Sequence, residues 1–216
     1  MSFNQTKPII YLITDGTLTT ESVSSHGFTS ILELISAAVS VNIPLIQLRE
    51  KQLPARLLYE LTKQVAQITK KSETRLLVND RADIAHAADA DGVQLTTLSL
   101  QASVIRKNFP KDFIIGVSTH SFAEAQTAYN EGANFAIFGP VFDTPSKRAY
   151  GKPVGVEKLK EVSALLPFPV IAIGGIDLSN AKEVFQNGAG GIAAIRLLND
   201  AANLHDTVRS IRLNFE

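Results

Sequence analysis

The sequence predicts an α/β fold in which eight parallel strands close into a (β/α)8 TIM barrel. Short apolar runs alternate with helix-type segments, and eight such rounds fit within 216 residues. The glycine pair also comes late, at Gly174-Gly175. A doubly wound open sheet, the competing architecture, would place a glycine-rich turn after the first strand, where this chain has only Asp15-Gly16. We therefore expect a barrel, as a single domain over residues 1–216.

Four strands and four helices are predicted in the first half of the chain. The strands are apolar runs that end at polar or turn residues. One helix is expected to begin near Ser30, because Ser30 and Glu33 have capping-box spacing, and another at Pro54, which suits a first helical turn. The predicted strands are 8–14, 43–48, 76–78 and 92–95, and the helices begin at 30, 54, 84 and 99.

The second half repeats the pattern four times. Ser121 and Glu124 again have capping-box spacing and predict a helix that closes at Gly132. Asp177 or Ser179 is expected to cap a later helix. The predicted strands are 113–117, 135–138, 170–173 and 191–195, and the remaining helices are 156–165 and 204–213.

Composition narrows the class of protein. Hydrophobic residues make up 45%, and 21 Lys+Arg balance 21 Asp+Glu, so disorder and a nucleic-acid partner are not expected. The chain has no cysteine, which excludes thiol catalysis, thiolate metal sites and disulfides. No stretch approaches the roughly 18 apolar residues of a membrane span. We expect a cytoplasmic protein without a membrane partner, in which any anion site is a local cluster.

One such cluster follows the predicted strand 135–138. Thr144, Ser146, Lys147 and Arg148 bring two hydroxyls and two cations within the five positions 144–148, around Pro145. Phosphate or carboxylate oxygens need such donors to recover the hydrogen bonds that they make in water. The alternative interpretation is an ordinary solvated loop.

Other polar residues also follow predicted strands, and in a barrel they would meet at one rim. Gln47, Arg49 and Lys51 alternate, so the pleat would point all three to the same side, where they could hold a diphosphate. Asn79 precedes Asp80, a candidate Mg²⁺ ligand. The alternatives are a solvated strand end for the first group and a helix cap for Asp80.

The last strands and the histidines complete the candidates. Gly174-Gly175 would let backbone amides approach an anion, and Arg196 could add charge to the same phosphate or merely pair with a neighbour. His120 follows the fifth strand and is the best placed of the four histidines for acid–base chemistry.

Several motifs spread over nearly the whole chain resemble the thiamine phosphate synthase and TenI superfamily of (β/α)8 barrels. They read YLITD, QLREK, VNDRADIA, ADGVQL, GVSTH, FGPVF followed by TPSK, and AIGGI. The resemblance implies a Mg²⁺-dependent transferase. A pyrimidine diphosphate loses pyrophosphate, and the ring nitrogen of a thiazole phosphate attacks the cationic methylene, giving thiamine phosphate. The implied partners are these two small molecules, and barrels of this type often form homodimers.

The resemblance also implies a role for each candidate residue. Arg49, Lys51, Lys147 and the metal would neutralise the leaving diphosphate. The implied pyrimidine and diphosphate contacts are Gln47, Arg49, Lys51, Asn79, Ser118 and Lys147, the magnesium ligand is Asp80, and the thiazole phosphate contacts are Thr144, Ser146, Gly175 and the region of Ile195, beside Arg196.

The chain departs from the synthase pattern at Ser99, Arg196 and Gln94, where synthases usually have an acidic second magnesium ligand, a serine and a histidine. A TenI-like thiazole tautomerase is the alternative function, with His120 or a water as the base, although the usual catalytic histidine is replaced by Pro140. A third interpretation is a non-catalytic barrel that binds thiazole phosphate or thiamine phosphate.

Overall fold

A computed structural model describes residues 7–144 and 152–215. Within these residues, eight parallel strands form a closed barrel in chain order, which confirms the predicted fold class. Each strand lies within two residues of its predicted bounds. The strands are β1 (Ile9–Ile13), β2 (Leu45–Leu48), β3 (Arg75–Asn79), β4 (Gly92–Leu95), β5 (Ile114–Thr119), β6 (Phe135–Phe138), β7 (Val170–Ile173) and β8 (Gly191–Ala194).

Helices surround the barrel, and within the described ranges none is long and apolar enough to cross a membrane. They are α1 (Thr20–His26), α2 (Thr29–Ser40), α3 (Ala55–Thr69), α4 (Ala82–Ala87), α5 (Ala102–Asn108), α6 (Phe122–Asn130), α7 (Gly155–Leu165), α8 (Ala181–Gln186) and α9 (Leu204–Phe215).

The helix ends differ from prediction more than the strands do. Helix α2 begins one residue before Ser30 and has no side-chain cap, so the predicted capping box of Ser30 and Glu33 is wrong. The Ser121 cap of α6 is confirmed, since its hydroxyl accepts from the Glu124 amide at 3.2 Å. Asp177 stabilises the turn before α8, where its carboxylate accepts from the Ser179 amide at 2.8 Å, but the N-cap of that helix is Asn180.

The barrel interior and the layer beneath the helices form two separate hydrophobic clusters. Alternate strand residues point inward, including Tyr11, Leu45, Phe135 and Ile171. Gly116 also faces inward, because a Cβ there would lie 2.3 Å from the Gln94 side chain and 2.4 Å from the Phe135 ring. Towards the carboxyl ends of the strands the interior becomes polar, and the candidate site lies there.

Candidate active site

The floor of the barrel mouth is a layer of neutral polar side chains from β2 to β5. Gln47 and Gln94 are 2% and 1% exposed. Gln47 Nε2 donates to Asn79 Oδ1 at 3.0 Å, and Gln94 Nε2 donates to Ser118 Oγ at 3.1 Å. Asn79 is paired with Gln94 in the register of β3 and β4, so the two bonded pairs adjoin. The structure therefore brings together three of the predicted substrate contacts, Gln47, Asn79 and Ser118.

Two members of this layer were missed as site residues by sequence reasoning. Gln94 was noted only as a departure from a pattern, and Tyr11 looked like one apolar position among several in β1. The Tyr11 hydroxyl donates to Gln94 Oε1 at 3.3 Å. Burial raises the pKa of Tyr11 well above its ordinary value, so the phenol is a neutral donor. Both Tyr11 and Gln94 could have been found from the sequence, because the alternation of side chains along β1 and β4 predicts that they point into the barrel.

Arg49 and Lys51 lie just beyond β2, above this floor. Arg49 is partly buried and Lys51 is exposed. The Arg49 amide donates to Thr14 Oγ1 at 2.8 Å, which ties the segment to the end of β1. They lie two and four residues after the inward-facing Gln47, and the direction of their side chains towards the mouth stays a prediction.

Asp80 lies at the end of β3 with its side chain exposed and a left-handed backbone, φ 64°. Its amide donates to the Gln94 carbonyl at 2.9 Å, so it sits against the end of β4. The predicted cap role is wrong, because Arg81 is the N-cap position of α4 and no side chain caps that helix.

The cation next to Asp80 is hydrogen-bonded to another carboxylate. The Arg81 guanidinium donates to both oxygens of Asp83, at 2.8 and 2.6 Å. This bidentate pair raises the pKa of Arg81 and lowers the pKa of Asp83. Arg81 is thus directed to Asp83, and the Asp80 carboxylate is available to a ligand.

The donor set around Asp80 fits a metal ion only weakly. Ser99, after β4, turns its hydroxyl into its own loop, where Oγ accepts from the Thr96 amide at 2.8 Å and lies 3.1 Å from Thr96 Oγ1. Across residues 7–144 and 152–215, no group of three or more His, Asp or Glu side chains is arranged to hold a metal. Asp80 alone suits Mg²⁺ that takes its other ligands from water and substrate phosphates.

The loops after β6 and β7 run side by side. The Val141 amide donates to the Ile173 carbonyl at 2.8 Å, and the Phe142 amide to the Gly174 carbonyl at 3.0 Å. Gly175 has φ +66°, and a Cβ there would lie 2.5 Å from the Asp143 carbonyl oxygen, so only glycine fits. Thr144 is buried, at 8% exposure, at the end of this segment. The predicted contacts Ser146 and Lys147, with Arg148, lie outside the described residues.

Ile195 and Arg196 follow β8, which neighbours β7. Ile195 packs against the interior cluster, whereas Arg196 is exposed on a turn. Asn199 fixes this turn, since its Nδ2 donates to the Ile13 and Ile195 carbonyls at 2.7 Å each. Gly175, Ile195 and Arg196 therefore belong to adjacent loops at the same end of the barrel.

His120, the predicted acid–base residue, lies beside α6. Its amide donates to Glu124 Oε2 at 2.8 Å, and its Nδ1 lies 3.2 Å from the same oxygen. The ring is 43% exposed and pairs with a helix residue rather than with the polar floor. The catalytic role of His120 stays a prediction that this geometry does not favour.

The fold and site define a parallel (β/α)8 barrel with a polar floor and cations at its carboxyl-terminal mouth. The family model described as thiamine monophosphate synthase matches residues 10–198, and the chain belongs to this family. Thiamine-phosphate synthase of Moorella thermoacetica is 39% identical over 84% of this chain and 86% of its own. That of Roseiflexus sp. strain RS-1 is 36% identical over 94% and 83%. The solved thiamine phosphate pyrophosphorylase of Pyrococcus furiosus superposes with a TM-score of 0.82 at 33% identity, covering 98% of this chain and 96% of that one.

Proposed function

We propose that this chain is a transferase that joins a hydroxymethylpyrimidine diphosphate to a thiazole phosphate and releases pyrophosphate. One observation carries the proposal: the end of β2 supplies both a floor amide, Gln47, and the rim cation Arg49, and β3 supplies both Asn79 and Asp80. A heterocycle on the floor would thus place its diphosphate beside the cations and the carboxylate. Membership of the family supports the same reaction.

The floor suits the pyrimidine because it is polar and uncharged. The bond between Gln47 and Asn79 uses one donor and one acceptor, and leaves Gln47 Oε1 and Asn79 Nδ2 to face a ligand. An aminopyrimidine edge offers the complementary donor and acceptor. Ser118 on β5, whose hydroxyl accepts a hydrogen bond from Gln94, adds a hydroxyl to the floor.

The rim residues would act on the leaving group. The bond between the pyrimidine methylene and the diphosphate oxygen breaks, and its electron pair leaves with the pyrophosphate. Arg49, Lys51 and Lys147 would neutralise the charge that develops there. The thiazole nitrogen then donates its lone pair to the methylene and forms the new C–N bond, while the mouth keeps water from the cation.

Asp80 would hold Mg²⁺, with diphosphate oxygens and water completing its shell, and the ion would supply further neutralisation of the diphosphate. The thiazole phosphate would lie towards the β6 to β8 side, where Thr144, Ser146, Gly175, Ile195 and Arg196 supply hydroxyls, backbone amides and charge.

The direct test is incubation of the purified protein with both substrates and Mg²⁺, with release of pyrophosphate as the readout. We expect one pyrophosphate for each thiamine phosphate formed. Absence of pyrophosphate release by folded protein would sink the proposal. Ring-proton exchange on a thiazole carboxylate phosphate, followed by NMR without any diphosphate, would instead identify a tautomerase. Calorimetric binding of thiazole phosphate without either turnover would identify a non-catalytic barrel.

A further inference from the structure

Glu50 lies between the two rim cations, yet its carboxylate is turned away from the mouth and buried. It is 2% exposed. Because Gln47 faces inward, the pleat directs the side chain of residue 50 to the opposite side, beneath the loop after β1. Oε2 accepts from the Leu18 amide at 3.1 Å. Oε1 is also buried, and in the described part of the chain it has no hydrogen-bond partner.

The hydrogen bond between the Leu18 amide and Glu50 is one of four that hold the β1 loop, residues 14–18, onto the segment 47–52. The loop lies directly on the backbone of Arg49, because a Cβ on Gly16, whose φ is +77°, would lie 2.9 Å from the Arg49 carbonyl oxygen. The four bonds are Thr14 N to Gln47 O at 3.0 Å, Arg49 N to Thr14 Oγ1 at 2.8 Å, Leu18 N to Glu50 Oε2 at 3.1 Å and Gln52 Nε2 to Gly16 O at 3.2 Å.

Stability alone does not account for a carboxylate at this position. Burial of a charged group is unfavourable unless it is hydrogen-bonded, so a buried carboxylate calls for a specific explanation. The Leu18 amide, which donates to Oε2, belongs to the β1 loop, so the explanation that fits this carboxylate is a tie to that loop.

We propose that Glu50 is a positioning residue that fixes the β1 loop and thereby the backbone from which Arg49 and Lys51 reach the diphosphate. The inference rests on the proposed function for the identity of the ligand. It does not depend on turnover, since the same geometry governs binding of pyrophosphate itself.

The experiment compares Glu50→Ala, Glu50→Gln and a control, Glu60→Ala, which removes an exposed acid paired with Arg56 on α3. Binding of inorganic pyrophosphate with Mg²⁺ is measured by calorimetry, and KM is measured for each substrate. We expect Glu50→Ala to weaken pyrophosphate binding about tenfold and to raise KM for the pyrimidine diphosphate similarly. KM for the thiazole phosphate should change less than about twofold. Glu50→Gln should recover most of the affinity, because it keeps an acceptor for the Leu18 amide.

Gln52→Ala provides a second variant whose folding is not in question, because Gln52 is exposed. It removes another of the four bonds and should weaken pyrophosphate binding in the same direction, about threefold. Unchanged pyrophosphate affinity in both variants, or an equal rise in KM for both substrates, would overturn the inference. A wild-type protein that binds pyrophosphate but never releases it from substrate would refute the proposed reaction and leave Glu50 testable by binding.

Discussion

The hydroxyl of Tyr11 shows how single buried groups hold the floor together. It is the donor to Gln94 Oε1, and Gln94 in turn orients Ser118. Tyr11→Phe removes the donor and leaves a buried amide oxygen unpaired, so we expect a loss of about 1 kcal/mol in the free energy of unfolding. Urea denaturation measures this loss. Tyr129→Phe, on the partly exposed face of α6, is the control, and equal stability of the two variants would contradict the assigned bond.

Ser99 is the position at which substitution could supply a second carboxylate for a metal ion. Its hydroxyl serves only its own turn with Thr96, close to the end of β4 against which Asp80 sits. Ser99→Asp should add a second carboxylate beside Asp80 and tighten Mn²⁺ binding about tenfold, because affinity rises with the number of charged ligands. Paramagnetic titration of the protein without substrate measures this affinity. The matched control is Thr97→Asp, on an exposed neighbour, and a gain of the same size there would point to a general charge effect.

Single site residues can be predicted from the sequence where the alternation of a strand fixes the direction of the side chain. Gln47, Asn79 and Ser118 could be placed together because each lies at the inward position near a strand end. Glu50 could not, because its role depends on the loop that crosses over it, and loop paths are not encoded in local periodicity. His120 looked equally well placed after β5, but its Nδ1 lies 3.2 Å from Glu124 Oε2 on α6.

The guanidinium of Arg106 on α5 makes several hydrogen bonds to neighbouring elements. Arg106 donates to the Gly132 carbonyl at 3.0 and 3.1 Å, to the Phe113 carbonyl at 2.8 Å and to Asn134 Oδ1 at 2.8 Å, which joins α5 to the entrances of β5 and β6. Partial burial lowers the pKa of Arg106.

Arg106→Ala should therefore lower the free energy of unfolding by about 3 kcal/mol, since several acceptors lose a charged partner together. Thermal and urea unfolding measure the loss, and Lys107→Ala on the exposed neighbour should stay within about 0.5 kcal/mol. The contacts lie at the amino-terminal end of the strands, away from the mouth, so turnover at low temperature should be unaffected. A stable Arg106→Ala protein with impaired turnover would refute this assignment.

The strands were predictable because the strands of a parallel barrel are short apolar runs that end at polar or turn residues. The first residues of the helices were harder to predict. Helix α1 was not among the predicted helices, and it has no buried residue that could produce a periodic signal. The residues that mark its start are Thr19 and Ser22, which form a capping box. The Ser22 amide donates to Thr19 Oγ1 at 3.2 Å, and the Thr19 amide donates to Ser22 Oγ at 2.9 Å. The spacing of Ser30 and Glu33 predicted a capping box that does not form. Helix α2 instead starts from the buried Phe28, whose packing outweighs a side-chain cap.

For the molecule as a whole, acid sensitivity should come from a few carboxylates held in local hydrogen bonds. The Arg81 side chain lowers the pKa of Asp83, and the Ser179 hydroxyl and amide lower the pKa of Asp177. Each folded pKa lies below its unfolded value, so the unfolded chain binds more protons in that range. The contribution is complete above the unfolded pKa near 4 and is lost as pH falls through the folded value.

We therefore expect the free energy of unfolding to be flat from neutral pH down to about pH 5 and to fall below about pH 4. Asp83→Asn should reduce the slope of that fall, and Arg81→Gln should reduce it by a smaller amount, because the Ile84 amide still lowers the pKa of Asp83 when Arg81 is absent. The double variant should match Asp83→Asn, because the titrating group is already gone, and urea denaturation across pH 2.5 to 7 measures all three. An unchanged slope in Arg81→Gln would mean that Asp83 owes its low pKa to the amide of Ile84 at the start of α4 rather than to Arg81.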